Sequence, residues 1–199
     1  MKKKYIFIII LVFVLAVIGL FIFIMNNKDD KNKEYSIYDF NVEMKDGISY
    51  VNNEKIGLSF AIPKGWKAVE DLMSSFSIRT ENFIPFNSNI SSNSIPKNGC
   101  WIGTSAIFEE EGSEEDVHYS ITKYYINNPN EKKNNQEIIE IDGTKGLKER
   151  LISEKGETVM IWVPINNIVY LFQTSLFGED KESCQEEFNK FLDTISIKK

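Results

Sequence analysis

The sequence predicts an antiparallel α+β domain, in which helices pack against one sheet, behind a single transmembrane helix. Three features support this prediction: an apolar run near the N-terminus, several segments in which large apolar residues alternate with small or polar ones, and an amphipathic pattern near the C-terminus. Alternation with period two is typical of half-buried strands, and apolar residues three or four positions apart indicate a helix face. Short turns between consecutive strands favour antiparallel pairing.

An uncharged, apolar run covers residues 5–25 and directly follows Lys2, Lys3 and Lys4. A helix of this length would measure roughly 31 Å, which is the thickness of the hydrocarbon core of a bilayer. The charged residues after the run are of both signs, whereas those before it are all lysines. The positive-inside rule therefore predicts a cytoplasmic N-terminus and an extracytoplasmic C-terminal domain.

A cleaved signal peptide is the alternative interpretation of this run. Its apolar region would be about 7–15 residues long and would end at a small-residue cleavage site. The run here is longer and ends without an Ala-x-Ala pattern, so we expect it to be retained. The predicted organisation is a cytoplasmic tail (1–4), a transmembrane anchor (5–25), a linker (26–34) and an extracytoplasmic domain (35–199).

The charge of the predicted domain limits its partners. Setting aside the three lysines before the apolar run leaves 20 basic residues against 29 acidic ones, a formal charge of −9. Binding to nucleic acid depends on clustered Lys and Arg, and an acidic surface is repelled by anionic lipid headgroups. We therefore expect no nucleic-acid partner, and membrane association only through the single N-terminal span.

Strands and short helical turns are predicted in the first half of the domain. A strand is predicted at 56–62, where large apolar residues alternate with Gly, Ser and Ala, and another at Trp101–Phe108. A shorter strand is predicted at 48–51. Residues 70–76 are predicted to form one or two helical turns, and 87–99 is rich in Ser, Asn and Pro, which indicates a long loop.

A helix is predicted at 114–127, behind a pattern at Ser113 and Asp116 that resembles a capping box. Acidic residues in its first turn suit the positive end of the helix dipole. The apolar residues at helical spacing, which we expect to face the sheet, are Val117, Ile121, Tyr124 and Tyr125.

The second half of the domain is predicted to form a meander of strands followed by a helix. Strands are predicted at 136–141, 146–154, 158–165 and 168–176, with turns at Asp142-Gly143, Lys155-Gly156 and Asn166-Asn167. The last strand is apolar on both faces, as expected of a central strand that is covered on both sides. The final helix opens at 178–180, and its apolar stripe comprises Cys184, Phe188, Phe191, Leu192 and Ile195.

Six carboxylates near one predicted turn are the candidate metal ligands: Glu109, Glu110, Glu111, Glu114, Glu115 and Asp116. Oxygen ligands of this kind suit Ca²⁺ or Mn²⁺. The spacing matches no calcium-binding loop, and the start of a helix favours acidic residues. A solvated strand end that leads into a helix is therefore the simpler interpretation.

The remaining reactive side chains do not suggest a catalytic set. His118 is the single histidine, and a triad or a zinc site needs more partners than it supplies. An extracytoplasmic location permits a disulfide between Cys100 and Cys184, but a core of this size does not need one. We therefore interpret the two cysteines as small buried apolar residues, and we expect no catalysis and no cofactor.

Aromatic residues on the predicted strands are a second candidate site. They would line a groove for a small ligand if they faced solvent, and they are Trp66, Trp101, Trp162, Tyr170 and Phe172. Aromatic residues on strands more often belong to the core. We predict a core role for them here.

Residues 57–66 read Gly-Leu-Ser-Phe-Ala-Ile-Pro-Lys-Gly-Trp. This segment resembles the opening motif of PsbP-like (Mog-type) domains, and 188–197 is similar to their closing pattern, so the resemblance spans about 47–197. It implies a sheet sandwiched between helices in a non-enzymatic accessory protein. Relatives serve as extrinsic photosystem subunits, as a nuclear-transport factor or as bacterial envelope proteins. The matched positions are structural, so no functional residue is carried over, and the loop at 87–99 is longer than the family pattern.

The function expected from these features is that of a membrane-anchored, extracytoplasmic accessory or binding protein of the bacterial cell envelope. Its partner would be an unidentified envelope protein or a small ligand. A second hypothesis is a protein that binds a small ligand or divalent cation through the aromatic strands or the acidic cluster. A third is an envelope enzyme, which would need paired carboxylates or a nucleophile with a base.

The mass of the mature protein tests whether the anchor is retained. We expect the protein isolated from its own cells to begin at or near residue 1, because the apolar run lacks a small-residue cleavage site. Intact-mass spectrometry of the full-length chain measures this directly. A mature N-terminus near residue 27 would contradict the prediction.

Overall fold

The computed structural model describes residues 40–70, 75–85, 96–108 and 117–198, all of which belong to one compact unit spanning 35–199. The predicted tail, anchor and linker lie outside the described residues. Within those residues, the helices are too short or too polar to cross a bilayer.

The described part of the chain is mostly strand, with two α-helices. The strands are β1 (Asn41–Lys45), β2 (Ile48–Asn53), β3 (Leu58–Ile62), β4 (Trp66–Glu70), β5 (Ser75–Thr80), β6 (Ile84–Pro85), β7 (Pro96–Asn98), β8 (Trp101–Phe108), β9 (Gln136–Ile141), β10 (Thr144–Ser153), β11 (Gly156–Ile165), β12 (Ile168–Phe177) and β13 (Ser196–Ile197). The helices are α1 (Val117–Asn127) and α2 (Lys181–Leu192), and a 3-10 helix covers Pro129–Glu131.

The main sheet is antiparallel, with the strand order β4-β5-β8-β12-β11-β10-β9. The predicted meander is confirmed, because β9 to β12 are consecutive neighbours in this sheet. Its turns explain why it could be predicted: Asp142 and Gly143 have φ of 49° and 69°, and Asn166 and Asn167 have φ of 48° and 64°. Asn, Asp and Gly adopt such values most readily, as a type I′ hairpin turn requires.

The prediction of a single sheet is wrong. Strands β1, β2, β3 and β13 form a second, four-stranded antiparallel sheet, and β6 pairs with β7. The fourth strand of this second sheet forms when Ser196 and Ile197, near the C-terminus, pair with Ser59 and Leu58. A pairing between segments this far apart in the chain leaves no trace in the local pattern.

Of the helical turns predicted at 70–76, residues 71–74 lie outside the described residues, and the prediction is wrong for Glu70, Ser75 and Phe76, which belong to strands. β4 and β5 are antiparallel strands, and β5 pairs on its other side with β8. Consecutive residues of β5, Phe76, Ser77 and Ile78, are buried, as expected of an interior strand covered on both faces. Pairing and burial therefore outweigh the weak local preference for helix.

The two helices pack on opposite faces of the main sheet. Adjacent residues of a strand point to opposite faces, so Trp162 lies on one face, and Ile161 lies with its pair partner Phe172 on the other. His118 of α1 stacks on Trp162 with ring centroids 4.9 Å apart, whereas Phe191 of α2 meets Phe172 at 6.3 Å. The prediction that helices flank the sheet is confirmed.

The core lies between the main sheet, the smaller sheet and α2. The ring of Phe191 lies 5.2 Å from that of Phe60 on β3, and Phe60 lies 5.8 Å from Phe76 on β5. Both contacts are edge-to-face, the geometry that aromatic pairs prefer. The predicted stripe on the last helix is confirmed where it is fully buried, at Cys184, Phe188 and Phe191.

Cys100 and Cys184 form a disulfide, so their interpretation as separate apolar residues is wrong. Cys100 immediately precedes β8 and Cys184 lies near the start of α2, so the bond ties this helix to the main sheet. Beside it, the Gly99 N–H donates a hydrogen bond to Asp180 Oδ2 at 2.8 Å. The local pattern does not predict the bond, because the fold alone brings together cysteines 84 residues apart.

Removing the disulfide is expected to destabilise the domain. Closing a loop of 84 residues lowers the conformational entropy of the unfolded chain, which adds about 4.5 kcal/mol to the free energy of unfolding in the chain-entropy model. We expect a full-length variant with Cys100→Ala and Cys184→Ala to lose about this free energy of unfolding in urea titrations. Wild-type protein in reductant is the matched control. An identical urea midpoint with and without reductant would contradict the bond.

Candidate functional site

The acidic candidate ligands Glu109, Glu110, Glu111, Glu114, Glu115 and Asp116 all lie outside the described residues. Among the residues that are described, no three His, Cys, Asp or Glu side chains come close enough to hold a metal ion. The hypothesis of a metal site at 109–116 therefore stays a prediction.

Three of the five candidate aromatic residues belong to the interior. Trp101, Tyr170 and Phe172 are 7%, 1% and 0% exposed, and the Tyr170 hydroxyl donates a hydrogen bond to the carbonyl oxygen of Ile56 at 2.6 Å. Trp66 is half-buried and packs against the core. The prediction of a core role is confirmed for these residues, which do not line an open groove.

Trp162 differs from the others, because it supports helix α1. Its indole is half-buried, and the imidazole of His118 lies almost parallel to it, with an interplanar angle of 6°. His118 is itself exposed. The stack fixes the first turn of α1 on β11.

Helix α1 turns a different face to the sheet from the one predicted. Thr122 is its most buried described residue, at 3% exposed, whereas Ile121 and Tyr124 are each 47% exposed. Stacking of His118 on Trp162 sets the rotation of the helix, and the small side chain of Thr122, one turn later, allows close approach. The prediction that Ile121 and Tyr124 face the sheet is therefore wrong.

The result is an apolar and aromatic surface that faces solvent, which we call the α1 patch. It consists of the exposed Ile121 and Tyr124 and the half-buried Tyr125, which lie on one flank of the helix at i, i+3 and i+4. The two tyrosine rings meet edge to face with centroids 5.5 Å apart. Tyrosine offers a large contact area with few rotatable bonds and a polar hydroxyl, so such a pair suits recognition of another molecule.

One tyrosine of the α1 patch is held in place by a carboxylate. The Tyr124 hydroxyl donates a hydrogen bond to Glu131 Oε2, which lies in the 3-10 helix after α1. This bond raises the pKa of Tyr124 above its ordinary value, and the negative charge of Glu131 adds to the effect. The ring is thus ordered before any partner arrives, which lowers the entropy cost of binding.

Similarity to known proteins is confined to solved structures. No family model matches the chain, and no curated protein matches it. The similar structures include a protein of Bacteroides thetaiotaomicron VPI-5482, with 15% identity, a TM-score of 0.42 and coverage of 72% of this chain and 46% of that one. This chain therefore spans less than half of the Bacteroides protein.

Two further structures are of the PsbP and Mog type that 57–66 resembles. The cyanobacterial PsbP (CyanoP) of Synechocystis sp. PCC 6803 has 13% identity and a TM-score of 0.43, with 84% of this chain and 98% of that chain covered. The Ran-binding protein Mog1p of Saccharomyces cerevisiae has 7% identity and a TM-score of 0.39, with 79% and 96% covered.

The bond between Tyr124 and Glu131 predicts a pH effect. Because the folded-state pKa of Tyr124 is the raised one, the bond contributes to stability below the unfolded pKa and is lost as pH rises through the folded value. We expect Glu131→Gln to lower the pKa of Tyr124 toward its ordinary value in an NMR titration. Glu140→Gln, at an exposed position on β9, is the control. An unchanged Tyr124 pKa in Glu131→Gln would refute the assignment.

Proposed function

We propose that this chain is a single-pass membrane protein of the bacterial cell envelope, with a cytoplasmic N-terminus and an extracytoplasmic, PsbP-like α+β domain. In this proposal the domain is an accessory or binding module without catalytic activity, and it binds another envelope protein. The observation that carries the binding role is the α1 patch, where the apolar residues of an amphipathic helix face solvent instead of the sheet.

The disulfide supports the extracytoplasmic location. Disulfides form and persist in oxidising compartments and are rare in the bacterial cytoplasm. The bond between Cys100 and Cys184 is enclosed, since the two residues are 4% and 0% exposed, and it joins two elements of the core. Together with the apolar run behind three lysines, it favours a domain that folds outside the cytoplasm.

The α1 patch supports binding to a protein. Ile121 and Tyr124 are each about half exposed, and tyrosine is among the residues most enriched where proteins bind one another. The Tyr124 side chain is positioned in advance by Glu131. An ordered pair of tyrosines beside an aliphatic residue offers a partner a contact area that costs little entropy to bury.

The structure of the motif at 57–66 supports the PsbP-like part of the proposal. Gly57 and Gly65 have φ of 68° and 83°, values that glycine adopts without steric cost. A side chain at Gly57 would also approach Lys198 Cβ to 3.0 Å. Between the two glycines, β3 buries Leu58, Phe60 and Ile62. The motif thus encodes one core strand and the sharp turns on either side of it.

Site-specific photo-crosslinking in living cells tests this function. A photoreactive residue replaces Tyr124, Ile121 or, as a control, Glu54 in an exposed turn of the smaller sheet, in the full-length chain. We expect illumination to join positions 121 and 124 to the same envelope protein, because both lie on the α1 patch. We expect position 54 to give no such product.

Equal products at positions 54 and 124 would contradict a binding role for the α1 patch. So would a hydrolase or transferase activity that a point mutation abolishes, because the proposal excludes catalysis. Failure to find a protein product, together with ligand-dependent thermal stabilisation of the purified chain, would favour the small-ligand hypothesis instead.

A further inference from the structure

The outermost strand of the smaller sheet is unusually exposed. β1 forms one edge of this sheet in the part of the chain that the structure describes, and all five of its residues are exposed. Val42 and Met44 are 51% and 79% exposed. An edge strand with free backbone groups and apolar side chains is a template for the addition of another strand.

The apolar residues of β1 lie on the side of the smaller sheet that faces the core, but they are exposed to solvent. Val42 pairs with Val51, which is fully buried, so Val42 and Met44 lie on the core-facing side of the sheet. On the same side, the ring of Phe40 packs 5.2 Å from that of Phe76. The apolar surface therefore runs without a break from the edge of the core to the exposed end of β1.

Charges do not protect this side of the strand. Natural edge strands commonly carry a charged residue on the inward side, which prevents another strand from adding. In β1, Glu43 and Lys45 alternate with the apolar residues and lie on the opposite side. The strand β9, which forms one edge of the main sheet, is different, because Glu137 and Glu140 place a carboxylate on each of its faces.

We propose that β1 pairs antiparallel with β1 of a second copy of this chain, about a two-fold axis through Val42. In this register Val42 lies opposite Val42 of the second copy, Phe40 lies opposite Met44, and Asn41 lies opposite Glu43. Apolar residues meet apolar residues and polar residues meet polar ones. The main-chain bonds supply the pairing, and the contacts between side chains select the register.

The neighbouring two-fold registers are less favourable. An axis through Glu43 sets the two Glu43 carboxylates opposite each other, and like charges directly opposed destabilise a strand pair. An axis through Met44 sets Val42 opposite Asp46, which lies in the turn after β1 with a φ of 53°. A five-residue pair buries less than the roughly 1,600 Å² of a typical stable interface, so we expect the dimer to form reversibly.

Cysteine cross-linking of the purified full-length chain tests the register. The chain has two cysteines, both in the disulfide, so an introduced cysteine is its one free thiol. We expect Val42→Cys to shift from monomer to dimer on mild oxidation, because directly opposed Cα atoms lie about 4.5–5.5 Å apart, within reach of a disulfide.

Two matched variants control for register and collision. In the proposed register, two copies of Met44→Cys are four residues apart along the strands, roughly 13 Å, so we expect them to stay monomeric. Ile152→Cys, at a residue 78% exposed on another sheet, measures random collision and is expected to stay monomeric. Adding Met44→Lys to Val42→Cys should abolish the dimer, because it places a charge on the inward side.

A monomeric Val42→Cys chain would overturn the proposal, as would Met44→Cys or Ile152→Cys chains that cross-link as readily. Because the oxidation is carried out on purified protein, its outcome does not depend on where the protein resides in the cell. The proposed dimer and the proposed location can therefore fail independently.

Discussion

The position of helix α2 is the constraint on which the rest of the structure depends. Phe191 contacts Phe60 of the smaller sheet and Phe172 of the main sheet. The disulfide between Cys100 and Cys184 fixes the start of the helix to the residue that precedes β8 of the main sheet. β13, which follows the helix, then completes the smaller sheet. The same bond supports the proposed extracytoplasmic location of the domain, because disulfides persist in oxidising surroundings.

The elements that could be predicted are those whose signals are local. Asp142-Gly143 and Asn166-Asn167 mark their turns, and the alternating pattern of β3 and the double-sided apolar pattern of β12 follow from burial within the strand itself. The second sheet could not be predicted for one reason. Ser196 and Ile197 form a strand by pairing with Ser59 and Leu58, and a local pattern contains no information about that distant segment.

The candidate site was predicted less well for a related reason. The apolar spacing of α1 correctly indicated a helix, but two faces competed for the sheet, and contact with another strand decided between them. Stacking of His118 on Trp162 and the small size of Thr122 turned Ile121 and Tyr124 outward. His118 and Thr122 were the available signal, since a residue that docks a helix closely is small or planar. The aromatic residues of the strands were easier, because burial of such residues is the general expectation.

The redox state of Cys100 and Cys184 in intact cells is the most direct test of the central claim, that this covalently closed core folds outside the cytoplasm. Cells are lysed directly into denaturant that contains an alkylating reagent and no reductant, so that buried thiols also react, and the mass of the full-length chain is then measured. We predict a chain that carries no alkyl group, because both sulfurs are in the disulfide. A chain with both cysteines alkylated would contradict the fold's covalent closure and the proposed location together.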